Sequence, residues 1–218
     1  MPAFQFVIWD MDGVLVDSER HWDTKDDFFL ARELDNWSEF DESRLIGRSL
    51  SDIYAMLREE MDLQMSYEEY RKNYDATARH IYSTKAELMP NAMKTLESLK
   101  QMGITQALVS SSTHRWIGYA IHQFGIADYF AKIISSDDVN GKGKPAPEIY
   151  EFACEQLNAS KDEILVVEDS VPGIQAAKSA GLTVVGYTGA KHGQHPANAD
   201  IEIDDLQEVL RLVKSGIK

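Results

Sequence analysis

Residues 8–18 read IWDMDGVLVDS, an apolar run that gives way to Asp10 and Asp12, one residue apart, and then to Gly13. The apolar part, Phe4 to Trp9, has the length and the bounding turn residues of a buried strand. Two carboxylates set close together at the end of such a strand repel each other, so the pair needs a reason. An isolated pair would find one in an Asx turn or a helix cap before Gly13. The rest of the chain decides whether that is enough.

Four more strand candidates follow, Thr105 to Val109, Lys132 to Ser135, Ile164 to Val167 and Thr183 to Tyr187. Helical periodicity occupies Asn91 to Met102, His114 to Phe124, Pro147 to Leu157 and Val171 to Ala180, and Leu206 to Val213 closes the chain. This alternation predicts an α/β fold, a Rossmann-like parallel sheet with helices on both faces. Residues 17–86 read differently. They are charge-rich, carry tyrosines and methionines at helical spacing (SDIYAMLREEMDL, SYEEYRKNYDATARHIY) and contain no convincing strand. The expectation is an all-helical domain of residues 17–86 inserted into a core of residues 1–16 and 87–218, with joints near Val14 to Asp17 and Glu87 to Pro90. Met56, Met61 and Met65 are expected in the core of that insert.

The composition narrows the function. A chain of 218 residues with 44% hydrophobic content can bury a substantial core. No run approaches a membrane span, and the apolar start reaches Asp10 too soon for a signal peptide, so the expected location is the cytoplasm and a membrane partner is not expected. The formal charge of -14, from 36 acidic and 22 basic residues, argues against nucleic acid, whose binding relies on Lys and Arg. The single cysteine, Cys154, lies at helical spacing among apolar residues and reads as a buried thiol. The chain is expected as a monomer or a weak homodimer.

In an open parallel sheet, ligands bind beyond the carboxyl ends of the strands. Four such ends carry unusual chemistry: Asp10 and Asp12 after the first; Ser110, Ser111 and Ser112 after the second; Lys144 in NGKGKPAPE after the third; Glu168 and Asp169 after the fourth. Four carboxylates gathered there stay ionised only with a cation among them, and all-oxygen ligation suits Mg²⁺. The Ser110 hydroxyl and the Lys144 ammonium complement phosphate oxygens. Phosphate-monoester hydrolysis is extremely slow without a catalyst, so an aspartate nucleophile and a second carboxyl as acid and base would both be useful.

DMDGVLVDS, LVSSS, KPAPEIY and VVEDSVPGI, in that order, resemble the four motifs of the haloacid dehalogenase superfamily, in its β-phosphoglucomutase-like phosphatase branch with a helical cap. The resemblance implies that Asp10 is the nucleophile and Asp12 the general acid/base, whose main-chain carbonyl also ligates Mg²⁺. It implies that Ser110, with Ser111 beside it, binds phosphate, that Lys144 neutralises the phosphoryl group, and that Asp169 ligates metal directly. Glu168 either ligates or holds metal-bound water. The expected partner is a small phosphorylated metabolite, and Arg48 and Lys72 are weak cap candidates for reading it, each reading first as a solvated helix or loop charge.

Asp12 disfavours dehalogenases and phosphonatases, which lack the second aspartate in the family pattern. A mutase shares all four motifs, but members of that branch usually carry histidine where this chain has Trp22, and His21 is one residue early. A non-enzymatic binding protein on the same scaffold would have lost Asp10, Asp12, Lys144 or Asp169, and all four are present. GKGK is not a P-loop, since no Ser or Thr follows its lysine, and His192 and His195 read as surface loop.

Overall fold

The structure, a computed structural model, describes residues 2–22, 28–41, 44, 50–189 and 196–217, without the side chains of 51 and 52. Arg48, His192 and His195 lie outside the described residues. Six parallel strands form one sheet: β1 (Phe6–Trp9), β4 (Thr105–Ser110), β5 (Lys132–Ser135), β6 (Ile164–Glu168), β7 (Thr183–Tyr187) and β8 (Ile201–Ile203), in the order β5-β4-β1-β6-β7-β8. A second sheet holds only β2 (Val16–Asp17) and β3 (Glu87–Leu88), antiparallel.

The central strand shows why this arrangement forms. Val7, Ile8 and Trp9 are fully buried, and their side chains alternate between the two faces. Val7 and Trp9 join Leu96, Leu108, Ile117 and Val213 on one side, under α4 (Ala92–Gln101), α5 (His114–Phe124) and α8 (Val209–Ser215). Ile8 joins Val109, Ile149, Val166 and Ile174 on the other, under α6 (Glu148–Leu157) and α7 (Val171–Ser179). Each such side chain contributes about 1.5–3 kcal/mol when buried, so the strand is fixed from both faces and its end is held rigidly.

Residues 19–85 hold α1 (Phe29–Glu33), α2 (Leu50–Glu60) and α3 (Tyr67–His80), and no strand among the described residues. Ser66 and Glu69 close a capping box at the start of α3, and a single π-helical turn, Ile81–Lys85, follows its end. Their own core gathers Phe28, Phe29, Trp37, Met56, Leu57, Tyr70 and Tyr74, with Met61 and Met65 packed against it. The chain leaves for this segment through β2 and returns through β3, where Val16 faces Leu88 and Asp17 faces Glu87. Among the described residues no helix is long and apolar enough to cross a membrane. Cys154 is a buried free thiol.

Candidate active site

Strand register brings the carboxyl ends together. Trp9 is level with Leu108 on one side and Val167 on the other, and the Asp10 amide still donates to the Val167 carbonyl at 3.0 Å. The chain then turns sharply. Leu15 and Val16 both donate to the Met11 carbonyl at 2.9 Å, and the Gly13 amide donates to Val16 at 2.8 Å. Gly13 has φ +79°, and a Cβ there would stand 1.9 Å from Asp169 Oδ2, so only glycine allows this loop to close over Asp169.

Asp10, Ser110, Lys144, Glu168 and Asp169 are all buried at these strand ends. Lys144 Nζ forms ion pairs with Asp10 Oδ1 and, at 2.5 Å, with Glu168 Oε1. It also lies 3.5 Å from the Val109 carbonyl and 5.6 Å from the centre of the Tyr150 ring. The Tyr150 hydroxyl donates to Glu168 Oε1 at 2.6 Å, and the Ser170 amide and hydroxyl donate to Oε2 at 3.4 and 3.1 Å. Both Glu168 oxygens therefore have protein donors. Its carboxylate is a fixed strut under Lys144, and Gly173 makes room for it, since a Cβ there would lie 2.1 Å from the carboxyl carbon.

Asp10, Glu168 and Asp169 can present oxygens within 4.8 Å of one another. Burial pushes the Asp10 carboxyl well above the usual range; Lys144 opposes the shift, and the charges of Glu168 and Asp12 add to it. Asp169 is raised in the same direction by burial and by Asp10 and Glu168. Burial works against the Lys144 charge, but Asp10 and Glu168 outweigh it and hold the ammonium well above its ordinary value. One lysine facing three buried acids leaves uncompensated negative charge. A hard divalent cation is the partner whose chemistry fits that donor set.

Asp12 is half-buried and held differently. Its Oδ1 accepts from the hydroxyls of Ser18 and, at 2.9 Å, Tyr82, and its Oδ2 from Ser112 at 3.4 Å. Burial raises its carboxyl and these hydrogen bonds pull it back. Ser110 Oγ accepts the Ser112 amide at 3.1 Å, so its own proton is the one left to donate. Thr113 caps α5 by accepting the Trp116 amide. Ser111 is exposed, and its carbonyl accepts from Ser136 Oγ at 2.8 Å. Lys72 is exposed on α3 and lines a surface groove with Arg71, Arg79 and Arg115, a groove that none of Asp10, Glu168 and Asp169 lines.

Ser18, Tyr82 and Tyr150 were not among the site residues expected from sequence. Ser18 follows β2, and its fully buried hydroxyl turns back to Asp12. Tyr82 and Tyr150 lie 70 and 140 residues from Asp12 and Asp10, and nothing in their local spacing sets them apart. Ser112, marked in sequence with its triplet, is left free by the Thr113 cap and donates to Asp12.

The sequence profile of the haloacid dehalogenase-like hydrolases matches residues 7–187. A phosphorylated carbohydrates phosphatase of Thermotoga maritima is 28% identical over 95% of this chain and 97% of its own length. A phosphoglycolate phosphatase of Vibrio parahaemolyticus is 34% identical over 78% of this chain and 74% of its own. In fold, the chain resembles CbbY from Rhodobacter sphaeroides, solved with xylulose-(1,5)-bisphosphate, with a TM-score of 0.80, 22% identity, and coverage of 97% and 99% of the two chains.

Proposed function

Since this chain belongs to the haloacid dehalogenase-like hydrolase family, we propose that it is a Mg²⁺-dependent phosphatase of a small phosphorylated metabolite, working through an aspartyl-phosphate on Asp10. The observation that carries the proposal is the Lys144 ion pair to Asp10 and Glu168, set among buried carboxylates at the end of β1. The two relatives named above, phosphatases of phosphorylated carbohydrates and of phosphoglycolate, support a small anionic substrate. Residues 17–86 act as the cap over a core of residues 1–16 and 87–218. The protein is read as cytoplasmic, and as a monomer or weak homodimer.

Asp10 and Asp169, with the main-chain carbonyl of Asp12, would hold the cation, and Glu168 would stand behind them through Lys144. When bound, the cation offsets the charge of Asp10 and of the phosphoryl oxygens. Lys144 engages Asp10 Oδ1, which leaves Oδ2 to attack phosphorus. As the new bond forms, the ester P–O bond breaks, its electron pair stays on the leaving oxygen, and Asp12 gives that oxygen a proton. Asp12, now a carboxylate, takes a proton from water as the water attacks the aspartyl-phosphate. The bond to Asp10 breaks and returns its pair to the carboxylate, freeing phosphate with both aspartates in their starting forms. Ser110, Ser111 and Lys144 hold the phosphoryl oxygens.

A screen of sugar phosphates, nucleotides and phosphorylated acids with Mg²⁺ tests this. Phosphate release from at least one compound is expected, with a loss of at least ~10³-fold in Asp10→Asn. A folded protein that releases phosphate from none, or an Asp10→Asn variant near wild-type rate, overturns it. Trp22 packs between Phe28, Tyr74, Tyr82 and Trp116, so the position where mutases carry histidine is a packing site here. Conversion of glucose 1-phosphate to the 6-phosphate in preference to free glucose would reverse that reading.

A further inference from the structure

The groove beside α3 takes no part in the steps written above. It is a trough of about 1380 Å³, lined by α3 from Tyr67 to His80 and, from the sheet domain, by Thr113, Arg115 and Trp116 at the start of α5. Four cations line it, Arg71, Lys72, Arg79 and Arg115, in a chain whose formal charge is -14. Two of its three acids are already engaged. Asp75 holds Arg115 at 3.1 Å and the Tyr119 hydroxyl at 3.3 Å, and Asp137 accepts the His114 amide at 2.9 Å. Glu68 is the third, and Arg71, Lys72 and Arg79 form no ion pair with another described residue. Tyr67 is the only large apolar side chain exposed among the described residues, at 38%, and it lines the same groove, braced by the Tyr54 ring with centroids 5.1 Å apart.

We propose that this groove docks an acidic segment of a partner protein, with its carboxylates on Arg71, Lys72 and Arg79 and one apolar or aromatic side chain on Tyr67. Unpaired arginines beside an exposed tyrosine are the residue types that anchor protein interfaces, and Arg clusters are a common device for reading acidic motifs. The dimensions favour a peptide over a small anion. Pockets for small molecules hold roughly 300–1,000 Å³ and enclose most of the ligand, whereas this trough is larger and follows a whole helix. The 14 residues of α3 rise about 1.5 Å each, so the trough is about 20 Å long, the length of about six residues of extended chain. The occupant touches α3 on one side and the start of α5 on the other. It therefore bridges the helical segment and the sheet domain.

The test uses the full chain and a fluorescein-labelled heptapeptide of six glutamates around a central tyrosine, followed by fluorescence anisotropy without Mg²⁺, so it does not depend on the phosphatase reading. Saturable binding is expected at low salt, weakening at least ~10-fold when the salt is raised about tenfold. Arg71→Glu combined with Arg79→Glu should weaken it at least ~10-fold and Tyr67→Ala at least ~3-fold, while Lys94→Glu, exposed on α4, should change it less than about twofold. Arg71→Gln with Arg79→Gln carries the test if the double charge reversal does not fold. No saturable binding by the wild type, or equal binding by the arginine variants, overturns the proposal. Displacement of the peptide by equimolar inorganic pyrophosphate or phosphoglycolate would make the groove a small-anion subsite, and displacement by equimolar oligothymidylate a nucleic-acid site; either outcome overturns it as well.

Discussion

The indole of Trp116, in the first turn of α5, lies parallel to the ring of Tyr74 on α3, with planes 5° apart and centroids 6.0 Å apart. Trp22 closes the group, 5.5 Å from Trp116 and 6.2 Å from Tyr74. Beside this stack, Asp75 takes Arg115 at 3.1 Å and the Tyr119 hydroxyl at 3.3 Å. The helical segment thus meets the sheet domain through an aromatic stack with a polar flank, directly behind the Ser112 loop that faces Asp12.

Trp116→Ala should act on that docking more than on either core. Trp116 is only partly buried and packs at the edge of both the sheet core and the helical core. Aromatic pairs contribute about 0.5–1.5 kcal/mol beyond their buried area, so a stability loss of roughly 1–3 kcal/mol is expected. Displacing the segment by even an ångström should lower kcat/KM by about 10- to 100-fold. Thermal melts and steady-state kinetics check both. Undiminished activity in a destabilised protein would mean that the stack supports folding and not closure.

Gly173→Ala places a methyl 2.1 Å from the Glu168 carboxyl carbon, within the first turn of α7, where the backbone has little room to yield. The carboxylate must move, and with it the contacts to Lys144 and Tyr150. Crowding of this kind costs about 1–3 kcal/mol, and a displaced Lys144 should cost at least ~10-fold in kcat. Gly118→Ala is the matching control, since a Cβ there, on α5, meets nothing within 4 Å. Equal behaviour of the two variants would refute the strut role of Glu168.

Cation binding has a readout that needs no turnover. Asp10, Glu168 and Asp169 face one lysine, so a divalent cation relieves repulsion in the folded state that the unfolded chain does not feel. Mg²⁺ at about 100 times its Kd should add roughly 2.7 kcal/mol and raise the melting temperature. Asp169→Asn removes a charge and a ligand together. It should melt at or above the wild-type temperature without Mg²⁺ and gain much less when Mg²⁺ is added. A wild-type melting temperature indifferent to Mg²⁺, Mn²⁺ and Ca²⁺ alike would rule against the site.

The parallel sheet was legible because strands buried on both faces read as continuous apolar runs, and FVIW, ILVV and TVVGY leave little room for another reading. Observed bounds differ from expectation by a residue or two: β1 begins at Phe6, β6 runs to Glu168, and Leu206 to Val213 divides into a 3₁₀ turn and α8. Strand β8, IEI, escaped notice because three residues at a sheet edge with a solvent-facing Glu202 carry almost no pattern. The pairing of β2 with β3 joins residues about 70 apart through two-residue strands, and no local signal announces it. In the site, Asp10, Ser110, Lys144, Glu168 and Asp169 announce themselves because each stands at or beyond the carboxyl end of a strand. Tyr82 and Tyr150 do not, because side chains that support others are chosen by tertiary contact and belong to no motif.

The loop that leads to Lys144 should loosen in acid. Ser135 caps it, and Asp138 closes the box by accepting the Ser135 amide at 2.9 Å while pairing with His114 Nε2 at 2.8 Å. Partial burial pushes the Asp138 carboxyl up, but the hydrogen bonds from His114 and Ser135 outweigh it and hold the group below its ordinary value of 3.8. A carboxyl with a lowered folded-state pKa contributes stability above its unfolded value, and that stability is lost as pH falls through the folded one. Asp138 is largely open to solvent, so the contribution near neutral pH should be small, about 0.5 kcal/mol after screening. Asp138→Asn should therefore melt below wild type at pH 6–7, and the gap should close between about pH 4 and pH 2. A gap that persists unchanged at pH 2 would show that the asparagine disturbs the loop by shape alone.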